Sequence, residues 1–371
     1  MTSGVDAKRT KRAQNDPVPQ AAPKKRSRQC RARADKRQSL IIADASMIAA
    51  WGAHFASVVR SDDGSHSNIA GVSITYTAPT TGGDAMMIKD IVVNLSVGER
   101  ASPAEDYALS VAATFDAHVT GIAYLYPPII PAPGAGYTVG DLYAPNIPSE
   151  MIAAQQRDND AATKAPIDRF AAASARAGVS AEPLTLSVNF GSAGIQFGRI
   201  ARRFDLAIVQ QAEPEANAIE EKIVEAALFD SGRPVIVVPY IQKAPLNLDR
   251  VMVCWDGGRA AARAIADAMP FLERAGRVEV VIIADERGKQ DEIEGADMGQ
   301  HLARHGLAVE VKRIVAGDID VADMLLSHAA DAETDFIVMG GYGHARLREF
   351  VLGGVTRSIL RTMTAPVLMS H

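Results

Sequence analysis

Residues 335–367 read DFIVMGGYGHARLREFVLGGVTRSILRTMTAPV. A short apolar run, Phe336-Ile337-Val338-Met339, leads directly into Gly340-Gly341-Tyr342-Gly343-His344. A helical stretch follows near 347–362. Pro366 then stands where it stops a helix and opens a strand. A short apolar run without polar alternation is the mark of a parallel strand buried on both faces. The glycines fall at 340, 343 and 353, a G-x2-G-x9-G spacing, followed by Gly354-Val355-Thr356. Glycines after a parallel strand let the backbone approach a bulky anion. Free backbone N–H groups before a helix make a concavity that holds it. The spacing alone is weak evidence: with 29 glycines in 371 residues, chance yields roughly 0.2 such matches. The strand before it and the helix after it raise its weight.

Working outward, the same rhythm fills the second half of the chain. Strands are expected at Arg250–Trp255, Val278–Ala284, Val309–Val315, Asp335–Met339 and Val367–Ser370. Helices are expected near 259–274, 292–305, 320–332 and 347–362. Gly276 and Gly306 follow two of these helices, where a C′ glycine belongs. The first half repeats the order. Its strands are Ile88–Ser96, Val119–Tyr126, Pro183–Val188, Asp205–Gln210 and Val235–Pro239, separated by helices near 103–117, 150–177, 193–203 and 217–231. Such alternation predicts right-handed βαβ units. The fold class is therefore α/β: two tandem Rossmann-like domains, each a five-stranded mostly parallel sheet with helices on both faces. The last strands of the two halves are expected to pair and hide their edges, and Asn247–Asp249 to form a hinge.

Composition agrees with a globular chain, 47% hydrophobic and 22% charged. Two cysteines, Cys30 and Cys254, exclude a disulfide scaffold and a Cys-based zinc cluster and fit a reducing, cytoplasmic setting. The net charge of −5 conceals a split: residues 1–37 carry +9 and the remainder −14. An acidic body argues against a specific nucleic-acid binder. Residues 39–59 include Asp44 and His54, too polar for a membrane span. The expected boundaries are a basic, low-complexity, disordered extension over 1–85, a first domain over 86–246 and a second over 247–371. Patterning begins abruptly at Met86-Met87, which raises the hypothesis that translation starts there and that residues 1–85 lie outside the working protein; the sequence leaves this open.

The run from Asp335 to Val367 resembles the C-terminal signature of the universal stress protein family. Residues 250–272, RVMVCWDGGRAAARAIADAMPFL, resemble the opening of the same domain. Residues 88–240 are similar in the order and spacing of elements. The resemblance implies a tandem member, an internal pseudo-dimer, with an adenine-nucleotide site in the second half. It further implies a stress-response or signalling role, with ATP, accompanied by Mg²⁺, as ligand. By position, Asp256 would contact the ribose, and Cys254 and Trp255 would flank the adenine. Gly340, Gly343, Gly353, Gly354, Val355 and Thr356 would surround the phosphates, bordered by Tyr342 and His344. No catalytic residue is assigned; at most the resemblance allows a slow ATPase. A homodimer and a protein partner stay open.

Two departures bear on occupancy. Gly354 stands where nucleotide-binding members carry Ser or Thr, and Gly257-Gly258 replaces a Gly-Ser pair. One lost hydrogen bond to a charged group costs ~1.5–3 kcal/mol. The alternative is therefore a nucleotide-free, partner-binding module. The first half departs further: Gln210-Gln211-Ala212-Glu213-Pro214-Glu215 offers carboxylates where phosphates would lie. Gly191-Ser192-Ala193-Gly194 reads as a helix entry. His301 and His305 have metal-ligand spacing, but HLARH lacks the Glu of a zinc protease. Cys254 reads as an inert core thiol, and Asp256 as either a ribose contact or a helix cap. The Pro-rich stretch 127–149, with Tyr137 and Tyr143, reads equally as a partner contact or a solvated loop.

Overall fold

The β-branched runs become strands and the stretches between them helices, within a few residues of the bounds read above. The computed structural model describes residues 56–59, 73–76, 88–96, 102–127, 149–189, 191–213, 218–285, 292–316, 319–341 and 354–371. The strands are β1 (Ala56–Val59), β2 (Ser73–Tyr76), β3 (Asp90–Asn94), β4 (His118–Leu125), β5 (Ala181–Ser187), β6 (Leu206–Gln210), β7 (Val235–Val238), β8 (Arg250–Cys254), β9 (Arg277–Asp285), β10 (Val309–Ala316), β11 (Phe336–Gly340) and β12 (Val367–Ser370). The helices are α1 (Pro103–Phe115), α2 (Ser149–Ala177), α3 (Ala193–Ala201), α4 (Ala218–Asp230), α5 (Arg259–Leu272), α6 (Glu292–Arg304), α7 (Val321–Asp331) and α8 (Gly354–Thr362). The Pro-rich stretch singled out above lies, over 128–148, outside the described residues.

All twelve strands join one sheet, in the order β1-β2-β10-β9-β8-β11-β12-β7-β6-β3-β4-β5. The two expected five-stranded sheets are contiguous parts of this one sheet. The runs β5-β4-β3-β6-β7 and β10-β9-β8-β11-β12 are each parallel throughout. They meet where β12 pairs antiparallel with β7, Val367 opposite Val237 and Met369 opposite Val235. The last strands do pair, as expected, and that pairing fuses the sheets. Strands β1 and β2 fall inside the segment expected to be disordered, and β2 pairs antiparallel with β10.

A pair of aspartates sets the same frame in both halves. The Asp205 carboxylate accepts the N–H groups of Lys89 and Asp90 at the start of β3. The Asp335 carboxylate accepts that of Arg250 at the start of β8. In return the N–H of Asp205 reaches the Asp90 carbonyl and that of Asp335 the Arg250 carbonyl, each at 2.9 Å. Asp335 also accepts from the Asn247 side chain at 3.0 Å. The expected hinge is thus pinned at both its ends, since Gly276 N–H bonds the Leu248 carbonyl.

The sheet has a core on each face, because successive side chains point to opposite sides. Ile91, Val93, Leu206, Ile208, Val251, Val253, Phe336 and Val338 join α1, α2, α5 and α6 on one face. Val92, Ala207, Val209, Met252, Ile337 and Met339 join α3, α4, α7 and α8 on the other. Both cores run across the seam. Phe115 of α1 meets Phe271 of α5 edge-on at 4.9 Å, and Phe271 stacks on Phe336. Gln211, fully buried, donates to the Leu360 carbonyl of α8 across the seam. Strand β5 departs from the buried pattern: as the sheet's edge it leaves Glu182, Pro183, Thr185 and Ser187 exposed.

Gly306 has φ +88, as a C′ glycine should. Gly276 does not adopt a left-handed φ. It is glycine because a Cβ there would lie 2.8 Å from the Asp249 carbonyl oxygen. Gly194 is the same kind of residue, with Lys222 O 2.6 Å from an added Cβ, so it serves the packing of α3 on α4.

One polar pair is enclosed between α7 and the sheet: His328 Nε2 lies 2.7 Å from Glu279 Oε2, with side chains 10% and 15% exposed. Burial works to raise the Glu279 carboxyl. The hydrogen bond and charge of His328, aided by Lys312 and Arg277, outweigh it, and the group sits below its ordinary value. A carboxyl lowered on folding adds stability above its unfolded pKa, and loses it as pH falls through the folded one. Glu279→Gln is therefore expected to lower stability at neutral pH by roughly 1.5–3 kcal/mol. It should also flatten the loss seen on acidification below about pH 4.5. Urea unfolding of both proteins across that range checks this; parallel curves would contradict it.

Candidate functional site

The carboxyl ends of β8 and β11 lie side by side, since Met339 is the register partner of Cys254. Open α/β sheets bind ligands outside such strand ends. After β8 the chain passes Trp255, whose N–H bonds the Val281 carbonyl. It then turns at Asp256-Gly257-Gly258 into α5. Gly257 has φ +71, which the turn needs. The Asp256 carboxylate, exposed to solvent, accepts the Gly258 N–H through Oδ1 at 2.7 Å. An added Cβ on Gly258 would sit 2.8 Å from that oxygen, a contact that a small shift of the exposed Asp256 side chain relieves. Asp256 therefore shapes the turn into α5, while its Oδ2 has no partner among the described residues.

Trp255 packs its ring against the first core, and its buried indole N–H has no hydrogen-bond partner among the described residues. Burial pushes the Cys254 thiol up to about 12, helped by the charge of Asp256. A thiol held that high is not a nucleophile near neutral pH.

Gly340 closes β11. A Cβ here would stand 2.4 Å from the Ala261 nitrogen and 2.7 Å from the Ala260 carbonyl carbon. The first turn of α5 rests directly on this residue. Gly341 donates to the Ser370 carbonyl at 2.8 Å, and its own carbonyl accepts from His371 Nδ1. Tyr342, Gly343, His344 and Gly353 lie outside the described residues. Helix α8 begins at Gly354, where an added Cβ would meet no described residue within 4 Å. Val355 packs on the second core and Thr356 is buried. The described site residues thus form two groups: the turn at 254–258 against Gly340, and the start of α8.

The equivalent corner of the first half is filled. Ser96 holds the place after β3 that Asp256 holds after β8. Glu105, only 2% exposed, accepts both the Ser96 N–H (2.9 Å) and its hydroxyl (3.1 Å). Arg169 from α2 completes the knot, donating to Glu105 Oε1 at 3.2 Å and to the Ser96 carbonyl. Helix α2 is held there by Thr163 and Asn159, which donate to the carbonyls of Tyr124 and Tyr126 at the end of β4. After β6, Gln211 turns into the seam. Burial first, and then the charge of Glu213, raise the Glu220 carboxyl. Glu105 and Arg169 were not singled out in the sequence, and Gln211 only as part of the run after β6. Ser102-x2-Glu105 has capping-box spacing and could have flagged Glu105; the Ser102 hydroxyl does accept the Glu105 N–H.

Two open hollows among the described residues lie elsewhere. One, of about 340 Å³, runs between Leu109 of α1 and Ala173 of α2. The other, of about 410 Å³, sits by Lys89, His118 and Ser180 near the starts of β3, β4 and β5. His301, on the exposed face of α6, and His305, just past its end, meet edge-on at 4.9 Å. The described residues contain no group of three metal-ligating side chains, and no described helix is long and apolar enough to cross a membrane.

With this geometry in place, comparison with known proteins is informative. Residues 247–371 match the universal stress protein family. A curated universal stress protein of Synechocystis is 25% identical over 172 residues. That alignment takes in 46% of this chain and 55% of the relative, so the chain spans about half the length of the curated relative it matches. Among solved structures, a universal stress protein from Archaeoglobus fulgidus aligns with TM-score 0.57 at 14% identity. It covers 76% of this chain and 96% of its own. A functionally unknown protein from Pseudomonas aeruginosa aligns with TM-score 0.46 at 14% identity, covering 76% and 92%. The likeness to the Archaeoglobus structure establishes the α/β fold beyond residues 247–371.

Gly340→Ala tests the packing role assigned above. Overpacking at backbone contact costs roughly 1–3 kcal/mol. The variant is expected to unfold at lower temperature, while Gly354→Ala, which meets open space, should not. Equal melting temperatures for the two variants would refute the assignment.

Proposed function

We propose that the chain is a tandem universal stress protein with a single working nucleotide site, in the second half. It binds an adenine nucleotide there, ATP with Mg²⁺, and acts in stress response or signalling without dedicated catalysis. The observation that carries this reading is the G-x2-G-x9-G spacing that follows β11, within the segment matching the family. The repeated strand order and the paired Asp205 and Asp335 frames support the tandem reading.

In this proposal Asp256 offers its free carboxylate oxygen to a ribose hydroxyl, and Cys254 and Trp255 border the base. Gly340, Gly343, Gly353 and Gly354 present backbone N–H groups to phosphates at the start of α8, where the helix dipole favours negative charge. Val355 and Thr356 anchor that helix in the core, and Tyr342 and His344 border the loop. The first half binds no nucleotide, because Glu105 and Arg169 fill its corner. We place the protein in the cytoplasm on its cysteine usage.

A second reading, a partner-binding module without ligand, is favoured by Gly354, which lacks the usual hydroxyl. Open space around that residue lets the two readings be separated. Isothermal titration with ATP and Mg²⁺ is expected to give one site per chain, with Trp255 fluorescence changing on binding. Gly343→Val should abolish binding with the fold intact. Gly354→Ser should tighten it by roughly tenfold to a hundredfold, the value of one hydrogen bond to a charged group. Phosphate release should not be sustained. No binding by the parent or by Gly354→Ser would favour the partner-binding module.

A further inference from the structure

The β1–β2 hairpin occupies the outer edge of β10. Ser73, Ile74, Thr75 and Tyr76 stand opposite Lys312, Val311, Glu310 and Val309, and β1 pairs on the far side of β2. Each strand has four residues, and β2 covers only the first four of the eight in β10. An isolated two-stranded hairpin is marginal in water, so this one depends on β10 for its stability.

The connection onward from the hairpin is the unusual part. β2 ends at Tyr76 and the next strand, β3, begins at Asp90. Eight inter-strand steps separate β2 from β3: across β10, β9, β8, β11, β12, β7 and β6. At ~4.8 Å per step this is about 38 Å. The fourteen Cα steps from 76 to 90 span at most about 46–50 Å when fully extended. The same length of flexible chain, containing Gly82-Gly83, has a relaxed span of only about 20 Å. Pairing within one chain therefore demands roughly twice the relaxed span and most of the contour length. Chain entropy opposes such stretching, and a hairpin of eight paired residues has little to set against it. The same register formed with the β10 of another molecule carries no such demand.

We propose that the β1–β2 hairpin is an exchange element: it completes the β10 edge of a second copy of this chain, and that copy's hairpin completes the first. Exchange of an identical element between two copies closes with two-fold symmetry and covers residues 309–312 of β10 in both copies. The hairpin gives residues 56–76 a structural task, in place of the reading that put 1–85 outside the working protein. The linker's relaxed span sets the distance between one copy's β3 and the other's β10.

Ser73 and Lys312 are register partners, so Ser73→Cys with Lys312→Cys, in a Cys30→Ser background, reports which molecule supplies the hairpin. The full-length chain is oxidised at micromolar concentration and run denatured without reductant. The expected product has twice the mass of one chain. Adding about ten Gly/Ser residues between Gly82 and Gly83, enough to relax the span, should move the product towards single-chain mass. A single-chain cross-link with the native linker would overturn the proposal. So would the absence of any cross-link, or a dimer fraction indifferent to linker length.

Discussion

The antiparallel pairing of β7 with β12 is the constraint on which the rest of the structure depends. Three register pairs join the halves, and Ile236, Val237, Leu368 and Met369 are all fully buried there. Each such side chain contributes about 1.5–3 kcal/mol when removed from water. Left unpaired, both strands would present apolar edges ready for unwanted pairing. Joined, they let each core continue from one half to the other. Phe115 against Phe271 on one face and Gln211 against Leu360 on the other are consequences of that seam. Arg274 adds its guanidinium over the Phe115 ring at 4.4 Å. The halves share their cores and do not merely touch.

A shared core leaves the strand ends free to diverge, and they have done so in opposite directions. In the first half, the end of β3 is closed by a buried carboxylate and a guanidinium from α2. Glu105 can be 2% exposed only because Ser96 and Arg169 satisfy it; alone it would cost several kcal/mol. In the second half the turn after β8 is made of glycines and an exposed aspartate. One corner is a satisfied, closed network, and the other keeps an exposed carboxylate oxygen and the start of a helix. The asymmetry follows from which helix reaches the corner: α2 has 29 residues, and the tie of Asn159 and Thr163 to β4 brings Arg169 over β3.

Most of the fold was legible because its signals are local. Short β-branched runs without polar alternation, and helix spacing between them, placed ten strands and seven of the described helices within a few residues. The seam was legible too, as a pairing of final strands that would otherwise be exposed edges. The Asp335 and Asp205 positions opened their strands as read, but their reach to β8 and β3 was not visible, since it spans 85 and 115 residues of sequence. Arg169 was hidden for the same reason, lying on a helix face that reads as solvated. The strands at 56–59 and 73–76 escaped because four polar-diluted residues carry no period. Gly276 was misread because a glycine after a helix has two uses, and only coordinates distinguish a left-handed turn from a close approach.

That ambiguity reaches the glycine motif itself. Gly340 and Gly354 occupy the same signature, yet their surroundings differ in kind. Gly340 is required by the protein: α5 lies on it at backbone contact, so glycine would be needed here with or without a ligand. An added Cβ on Gly354 would meet no atom of the described residues within 4 Å, so none of them excludes a larger residue there. A signature of this sort therefore mixes residues kept for the scaffold with residues open to a ligand. Its first glycine is evidence for the fold. The case for phosphate binding rests on the start of α8, where no described residue requires a glycine. The missing hydroxyl at 354 matters for that reason: among the described residues no atom stands in the way of a Cβ that would carry it.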